Sequence, residues 1–439
     1  MRKLFEAKQW IGEFFTDNNF DNRFSGKVFY SPEDGVVLEF WIASKELPAD
    51  SNVVHGILET GEKCSLIGEF SVAQSSISFK GGLTMRTGKI GFACLFLNDF
   101  VSEVELFYSF DFSLTNLQEF FFPKGFKDLV KYSEAPLKII KTAFGEVRVT
   151  NSASFGSLHN DITKQIYSWD KKALEDLKAA FAKVKLENPS AIFMLKKDIE
   201  YRLSVHVSGG ADYNKIFEYI AALADLFAIL IYSPVHPESI SVDRLGVDEK
   251  NRSLDFFPSS TISAKTLMLS SQQASHFHLP ITDKKVDLEL LIGNWLEFPD
   301  RFSTIVSGIQ TETGFRYVHS LHGELVLYAT QFEAISYDDK VKEKYEYPLG
   351  EYGSHNIMVG VKTIFSKFGR SDVGGAISDL RNEIAHVGRP KVLIKKMSME
   401  DLILLSQYME LTIIGYVLKK IGVEPTLVRR YQEEFCPRL

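Results

Sequence analysis

Cysteine is scarce in this chain of 439 residues. Its three cysteines, Cys64, Cys94 and Cys436, lie far apart, and no CxxC pair occurs. The sequence therefore supports neither a disulfide framework nor a zinc knuckle, because both depend on paired cysteines. A reducing compartment suits such a chain, so we expect a cytoplasmic protein without a metal or other cofactor.

Long apolar segments are also missing. The N-terminal sequence MRKLFEAKQW carries too many charges to supply the apolar core of a signal peptide. The most apolar run, residues 220–232, is short for a membrane span and is interrupted by Asp225. This run predicts a buried core helix, and we expect no membrane among the partners.

An excess of positive charge is the third absence. The net charge is −7, so the molecule as a whole should not attract nucleic acid, and any RNA contact needs a local basic patch. The chain does contain 45% hydrophobic and 24% charged residues, which is typical of a globular protein with real cores. Its length predicts roughly two to four domains.

Residues 1–150 have the pattern of a strand-rich N-terminal domain. β-rich runs alternate with Gly, Pro, Asp and Asn, which predicts an antiparallel sandwich or a barrel-like sheet. The clearest runs are 35–43, 55–60, 89–97 and 104–112. Residues 151–280 mix helical and strand periods, so we assign them to a mixed α+β segment of the same N-terminal region.

After residue 280 the strand signals nearly vanish. Helical patterns cover 286–309, with a break near Pro299, and then 315–336, 358–368, 373–387 and 398–421. Helices joined by mostly short loops predict an antiparallel all-α bundle over residues 281–439. The expected fold class is therefore α+β multidomain.

Three patterns offer weaker functional signals. The stretch GLTMRTGK from Gly82 has the wrong glycine spacing for a phosphate loop and predicts a hairpin. His276 and His278 have no third ligand nearby, which favours a structural role over a metal site. The acidic residues between Asp338 and Glu346 are interleaved with lysines, as in a solvated loop.

The sequence LRNEIAHVGRP, residues 380–390, is the strongest candidate for a functional site. It places Arg381, Asn382 and His386 within two helical turns, and Gly388 and Pro390 are helix stop signals. The guanidinium fork of arginine can bind two phosphate oxygens. Histidine is suited to acid–base chemistry near neutral pH.

Helical spacing separates a polar face from an apolar face in this stretch. Asn382 and His386 are four residues apart, and Asp379 precedes Asn382 by three. The expected buried stripe is Leu380, Ile384 and Val387. Asp379 and Glu383 are possible supporting residues that either pair with Arg381 or are plain solvated carboxylates. A basic run follows, and we expect it to bind RNA phosphates through Arg389, Lys391, Lys395 and Lys396.

The Arg–His spacing alone is weak evidence. With 15 arginines and 10 histidines, about one such match is expected by chance, and Arg316 with His322 also fits. A surface helix can also end in cations simply because they suit its C-terminus. The polar residue after Arg381, the helix end and the basic run distinguish the 380–390 stretch from the other match.

The sequence RNEIAH from Arg381, on a late helix of a C-terminal bundle, resembles the HEPN domain family. The wider layout resembles the ApeA type, and LLIGNWLEF (290–298) and QFEA (331–334) add to the likeness. The resemblance implies a HEPN bundle over residues 281–439 and a metal-independent endoribonuclease that acts in abortive anti-phage defence. Arg381 and His386 would then be the catalytic pair, with Asn382 assisting.

The resemblance also implies partners. These are an RNA substrate, with tRNA as one candidate, a second copy of the chain in a homodimer or higher homo-oligomer, and a phage-derived trigger. The N-terminal region would act as a sensor or restraint, and the product would carry a 2′,3′-cyclic phosphate. Two alternatives stay open, because a fold does not fix a function. One is a non-catalytic HEPN module that binds nucleotide, RNA or protein, and the other is a carbohydrate- or protein-binding N-terminal module with structural helices.

Overall fold

The computed structural model describes residues 3–16, 23–43, 52–68, 72–80, 83–121, 133–157, 166–191, 194–244, 253–259, 278–298, 305, 309, 318–386 and 388–437. Some sequence predictions fall outside these residues, namely those on His276, Pro299, Arg316 and Val387.

The described strands form one antiparallel sheet of 14 strands. They are β1 (Lys8–Thr16), β2 (Phe24–Ser31), β3 (Gly35–Ile42), β4 (Val53–Leu58), β5 (Lys63–Ile67), β6 (Val72–Lys80), β7 (Leu83–Phe92), β8 (Cys94–Leu97), β9 (Phe107–Leu114), β10 (Lys138–Thr142), β11 (Gly145–Ser157), β12 (Met194–Ala211), β13 (Pro237–Asp243) and β14 (Ser253–Pro258). Their order is β10-β11-β12-β9-β13-β14-β8-β5-β4-β1-β2-β3-β7-β6. The strand-rich N-terminal prediction is confirmed. Strand β11 runs across residue 150, so both sides of that residue belong to this sheet.

The helices divide between the two parts of the chain. Those of the N-terminal region are α1 (Leu117–Phe121), α2 (Lys171–Glu187) and α3 (Tyr213–Ile231). Those that follow residue 280 are α4 (Leu288–Leu296), α5 (Val318–Asp338), α6 (Glu346–Tyr352), α7 (His355–Ser366), α8 (Val373–Ala385), α9 (Met399–Lys420) and α10 (Pro425–Phe435). The C-terminal part described is helical, which confirms the predicted α+β class.

Alternating burial along the strands shows that one face of the sheet forms the core. In β2, Phe24, Gly26, Val28 and Tyr30 are buried, whereas the residues between them are less so. The Tyr30 ring centroid lies 4.9 Å from that of Phe257 in β14, although β2 and β14 are not neighbours in the sheet. The curved sheet therefore encloses an aromatic core. Residues 83–89 of the segment predicted as a hairpin lie in β7, which pairs antiparallel with β6, and Gly82 lies outside the described residues.

Helix α3 lies between the sheet and the bundle. On one side, the Tyr219 ring centroid is 4.2 Å from that of Phe144. On the other side, Trp295 Nε1 of α4 donates a hydrogen bond of 2.7 Å to the Ala222 carbonyl, and the Tyr431 hydroxyl of α10 donates to the Ile229 carbonyl. The prediction of a buried core helix in this apolar run is therefore confirmed.

Helix α9 is the centre of the bundle, and its consecutive residues Leu411, Thr412, Ile413 and Ile414 are all buried. A helix that is buried all round needs partners on every side, and α9 contacts α5, α6, α7 and α10. By length and composition α9 could cross a membrane, but 83% of its apolar window is buried inside the protein. That burial is typical of the core helix of a soluble protein.

The acidic segment at the end of α5 was predicted as a solvated loop. Glu343 and Glu346 are exposed as expected, whereas Asp338 and Asp339 are held by hydrogen bonds. Asp338 accepts a hydrogen bond of 3.0 Å from the Tyr416 hydroxyl, and Asp339 accepts one of 3.0 Å from Lys420 and one of 2.5 Å from the Tyr352 hydroxyl. These bonds fix α6 against α9. The sequence pattern missed α6 and α10 because both are short and take their stability from packing on α9.

Candidate active site

The candidate motif lies at the C-terminal end of α8. The helix begins after Asp372, whose Oδ1 accepts a hydrogen bond of 2.9 Å from the Gly375 amide. One face of the helix is buried in the bundle, through Val373, Ala376, Ile377 and Leu380. This burial fixes the rotation of the helix, so that Arg381 and Asn382 are half-buried at its flank.

His386 does not continue the helix, contrary to the expectation that it shares a face with Asn382. Helix α8 ends at Ala385, and His386 has an extended backbone with φ −112° and ψ 109°. Its carbonyl accepts hydrogen bonds from the Arg389 amide at 3.2 Å and from Lys391 Nζ at 3.0 Å. The chain therefore turns at His386, and the imidazole is exposed beyond the helix end.

Arg381 and Asn382 contact each other directly. Arg381 Nη1 donates a hydrogen bond of 3.1 Å to Asn382 Oδ1. Arg381 Nε is buried and has no hydrogen-bond partner among the described residues, nor does any described side chain form an ion pair with this guanidinium. Asn382 therefore orients the arginine, and part of its donor capacity is left for a ligand.

A tyrosine that the sequence analysis missed lies beside Arg381. Tyr345 donates a hydrogen bond to Glu333 Oε1 of α5. Burial and the Glu333 carboxylate raise the pKa of Tyr345 to about 12, while the nearby Arg381 charge acts in the opposite direction. The only sequence signal was QFEA at 331–334, which contains Glu333 but gives no indication of its partner.

Glu383 occupies neither of the two environments expected for it, an ion pair with Arg381 or open solvent. Its buried carboxylate accepts hydrogen bonds from the Leu393 amide at 2.9 and 3.0 Å and from the Ile394 amide at 2.9 Å. It neither pairs with Arg381 nor is solvated. The carboxylate instead ties the segment after the motif back to α8, because the two amides have no helix or strand partner there.

Asp379 is also separated from Arg381. It accepts a hydrogen bond of 2.7 Å from Arg370 Nη2, in an ion pair that is largely exposed. The predicted cluster of Asp379, Asn382 and His386 is therefore divided, with Asp379 turned towards the loop before α8.

The basic run forms a cationic surface next to His386. Arg389, Lys395 and Lys396 are exposed, and none of them has an ion pair with another described residue. Lys391 is half-buried and bonded to the His386 carbonyl. Unpaired exposed cations beside the motif are suited to contact phosphates.

A cavity of about 460 Å³ adjoins this surface. Its walls include Glu383 and Ile384 of α8, Lys391 and Lys395 of the basic run, and His322 of α5. His322 belongs to the Arg–His match that the sequence analysis ranked second, and its Arg316 lies outside the described residues. The fold thus brings His322 to the same place as the preferred motif.

Of the two histidines considered as metal ligands, His278 lies among the described residues and His276 does not. His278 Nδ1 lies 3.4 Å from Glu434 Oε1, at the surface. Within the same residues, no group of three or more His, Cys, Asp or Glu side chains is arranged to hold a metal ion.

Comparison with protein families gives two matches that follow one another along the chain. Residues 9–295 match the model described as ApeA N-terminal domain 1, and residues 323–427 match the model described as Apea-like HEPN. The second match contains Arg381, His386 and all four cations of the basic run. No curated protein and no solved structure matches the chain significantly.

Proposed function

Because this chain belongs to the ApeA-like proteins, a family of anti-phage proteins with a C-terminal HEPN domain, we propose that it is a metal-independent endoribonuclease. HEPN domains are generally of the ribonuclease type. The observation that carries the proposal is the grouping at the end of α8. There an oriented arginine, an exposed histidine and exposed cations follow one another within 16 residues, 381 to 396.

The proposed reaction is attack of the ribose 2′-hydroxyl on the adjacent phosphorus. The O2′–P bond forms and the P–O5′ bond breaks, which leaves a 2′,3′-cyclic phosphate and a 5′-hydroxyl. A base takes the proton of the 2′-hydroxyl, and an acid gives a proton to the leaving 5′-oxygen. His386 and the same histidine of a second copy are suited to these two roles. Arg381 stabilises the charge that develops on the phosphate.

The decisive test is digestion of total RNA, including tRNA, in the presence of EDTA. We expect cleavage by the wild type, 5′-hydroxyl product ends and a loss of at least about 100-fold in His386→Ala, the usual size of an acid–base contribution. His278→Ala is the matched control, since that histidine is exposed near α10 and lies outside the motif. Cleavage that requires added metal, or that persists in His386→Ala, contradicts the proposal.

The need for two copies is tested by mixing wild type with His386→Ala at constant total concentration. If each cleft uses both histidines, activity falls with the square of the wild-type fraction. If one copy suffices, it falls linearly. A homodimer or higher homo-oligomer is part of the proposal because one chain offers one His386.

The proposed biological role is abortive defence. The protein would act in the cytoplasm, where a phage-derived trigger releases RNA cleavage and the N-terminal region restrains the bundle until then. Helix α3 supports such a link because it contacts both the sheet and the bundle. We expect Arg381→Ala to abolish protection against phage without changing the amount of folded protein.

A second candidate function is RNA or nucleotide binding without cleavage. The cavity and the exposed cations beside the motif favour it, since both would bind RNA whether or not the motif is active. RNA that is bound but left intact, including in extract from infected cells, would support this function instead.

A further inference from the structure

We propose that the cavity beside the motif is a subsite that receives a nucleobase of the RNA and thereby selects where the RNA is cut. This inference deepens the proposed function and rests on it. The cavity is formed by α5, the end of α8, the segment 391–397 and the first turn of α9. Its volume of about 460 Å³ lies within the range of small-molecule pockets, ~300–1,000 Å³.

The walls of the cavity combine an apolar floor with a cationic rim, and the Glu383 carboxylate in the wall is already bonded to two backbone amides. The floor consists of Ile384, Ile394, Met397, Met399 and Leu402. Methionine side chains are flexible and polarizable, and they make favourable contacts with flat aromatic rings. Lys391 and Lys395 stand at the rim, and His322 adds an aromatic ring against which a base can stack.

This combination fits one ligand chemistry better than its alternatives. An apolar ligand would not require two lysines, and a free anion would not require an apolar floor. A metal cation would be repelled by the lysines. A nucleobase attached to its phosphates uses both features, because the base stacks on apolar atoms while the phosphates meet the cations.

The position of the cavity connects it to the cutting site. Lys391 lines the cavity and donates a hydrogen bond of 3.0 Å to the His386 carbonyl. Ile384 of the wall lies only two residues from His386 and three from Arg381 along the chain. A base held in the cavity therefore places a neighbouring phosphate at the motif.

The floor is held in place before any ligand arrives. Glu383 fixes Leu393 and Ile394 through their amides. The start of α9 is fixed by a reciprocal cap, in which Ser398 Oγ accepts from the Asp401 amide at 3.1 Å and Asp401 accepts from the Ser398 amide at 3.1 Å. A preformed pocket discriminates among bases because it does not adapt its shape to each one.

The test measures binding of four fluorescent RNA pentamers, oligo-A, oligo-C, oligo-G and oligo-U, to the full-length His386→Ala protein. Using this variant separates the subsite from the proposed function, since base preference in binding can be measured whether or not the wild type cleaves RNA. We expect the best and worst pentamers to differ in Kd by about tenfold, because a preformed pocket holds one base shape better than the others.

Met399→Trp in the same background should fill the cavity from its half-exposed edge. The difference in Kd between the best and worst pentamers should then fall below about threefold. Met85→Trp is the matched control, because Met85 is exposed in β7 of the N-terminal sheet. In the cleaving wild type, Met399→Trp should raise KM and broaden the bases found at the cut sites, while His322→Ala should alter the preferred base.

Three results would overturn the subsite. One is equal binding of the four pentamers, and another is a base preference that Met399→Trp leaves unchanged. The third is a nucleoside monophosphate that binds as tightly as the pentamers, which would make the cavity a site for a free nucleotide. If the wild type cleaves no RNA but base preference depends on Met399, only the proposed nuclease function fails.

Discussion

Replacement of Glu383 gives the sharpest test of how the motif is held. Its buried carboxylate joins α8 to the segment that carries Lys391 and Lys395, through the amides of Leu393 and Ile394. Glu383→Ala removes this acceptor and leaves both amides without their partner. Glu383→Gln keeps the shape and one acceptor oxygen but removes the charge.

The expected loss of stability follows from these hydrogen bonds. A hydrogen bond to a charged group contributes about 1.5–3 kcal/mol, so two amides give about 3–6 kcal/mol. Ile394 is only half-buried, so water can partly replace the lost acceptor, and the lower end applies. We expect Glu383→Ala to cost about 3 kcal/mol, and Glu383→Gln about half of that because neutral hydrogen bonds are roughly half as strong.

Hydrogen exchange followed by mass spectrometry measures this effect locally. A loss of about 3 kcal/mol should lower the protection of the Leu393 and Ile394 amides by roughly 100-fold, while amides in the centre of α9 change much less. Glu175→Gln is the matched control, since Glu175 is exposed on α2. RNA affinity should fall together with protection, because the freed segment carries three of the four cations, Lys391, Lys395 and Lys396.

Two results would contradict the structural role of Glu383. If Glu383→Gln abolishes RNA cleavage while exchange and RNA affinity stay at the wild-type level, the carboxylate acts on the substrate and not on the backbone. Unchanged exchange in Glu383→Ala would show that the two amides do not depend on it.

Three further predictions follow from the contacts around the motif. Asp379→Asn breaks a largely exposed ion pair with Arg370. It should therefore change the free energy of unfolding by at most about 0.5 kcal/mol and leave RNA cleavage intact. A loss of cleavage comparable to that in Arg381→Ala would contradict this prediction. Lys396→Ala should lower the slope of log Kd for RNA against log salt by about 0.7, and an unchanged slope would remove Lys396 from the interface. The pKa of Tyr345 is raised from 10.0 to about 12, so its neutral form stabilises the fold below pH 10.0 and this contribution is lost as the pH rises to about 12. Tyr345→Phe should reduce the loss of thermal stability in that interval, and a pH dependence identical to that of the wild type would contradict it.

The helix that carries the motif could be predicted closely from sequence. The predicted range 373–387 compares with Val373–Ala385, because an N-cap aspartate, a buried stripe at helical spacing and a glycine–proline stop act within a few residues of one another.

Contacts between one helix and other segments of the chain could not be predicted in this way. Glu333 meets Tyr345 through the packing of α5, and the Glu383 carboxylate turns to amides ten residues later instead of to Arg381. The residues around His322 in the sequence made its Arg–His match the weaker of the two. Helix α5 nevertheless places His322 in the wall of the cavity that Lys391 also lines. The two domain boundaries, near residues 150 and 280, stay predictions.

The sequence by itself determined the strand-rich and helical halves of this protein and the position of the Arg381–His386 motif. The physical reason is that periodic burial and helix termination depend on residues close together in the chain. Only the tertiary structure decided which side chains orient Arg381, which carboxylate holds the basic segment and where a cavity opens. Those outcomes depend on how separate helices pack around α9, and packing is settled by the shapes of residues far apart in sequence.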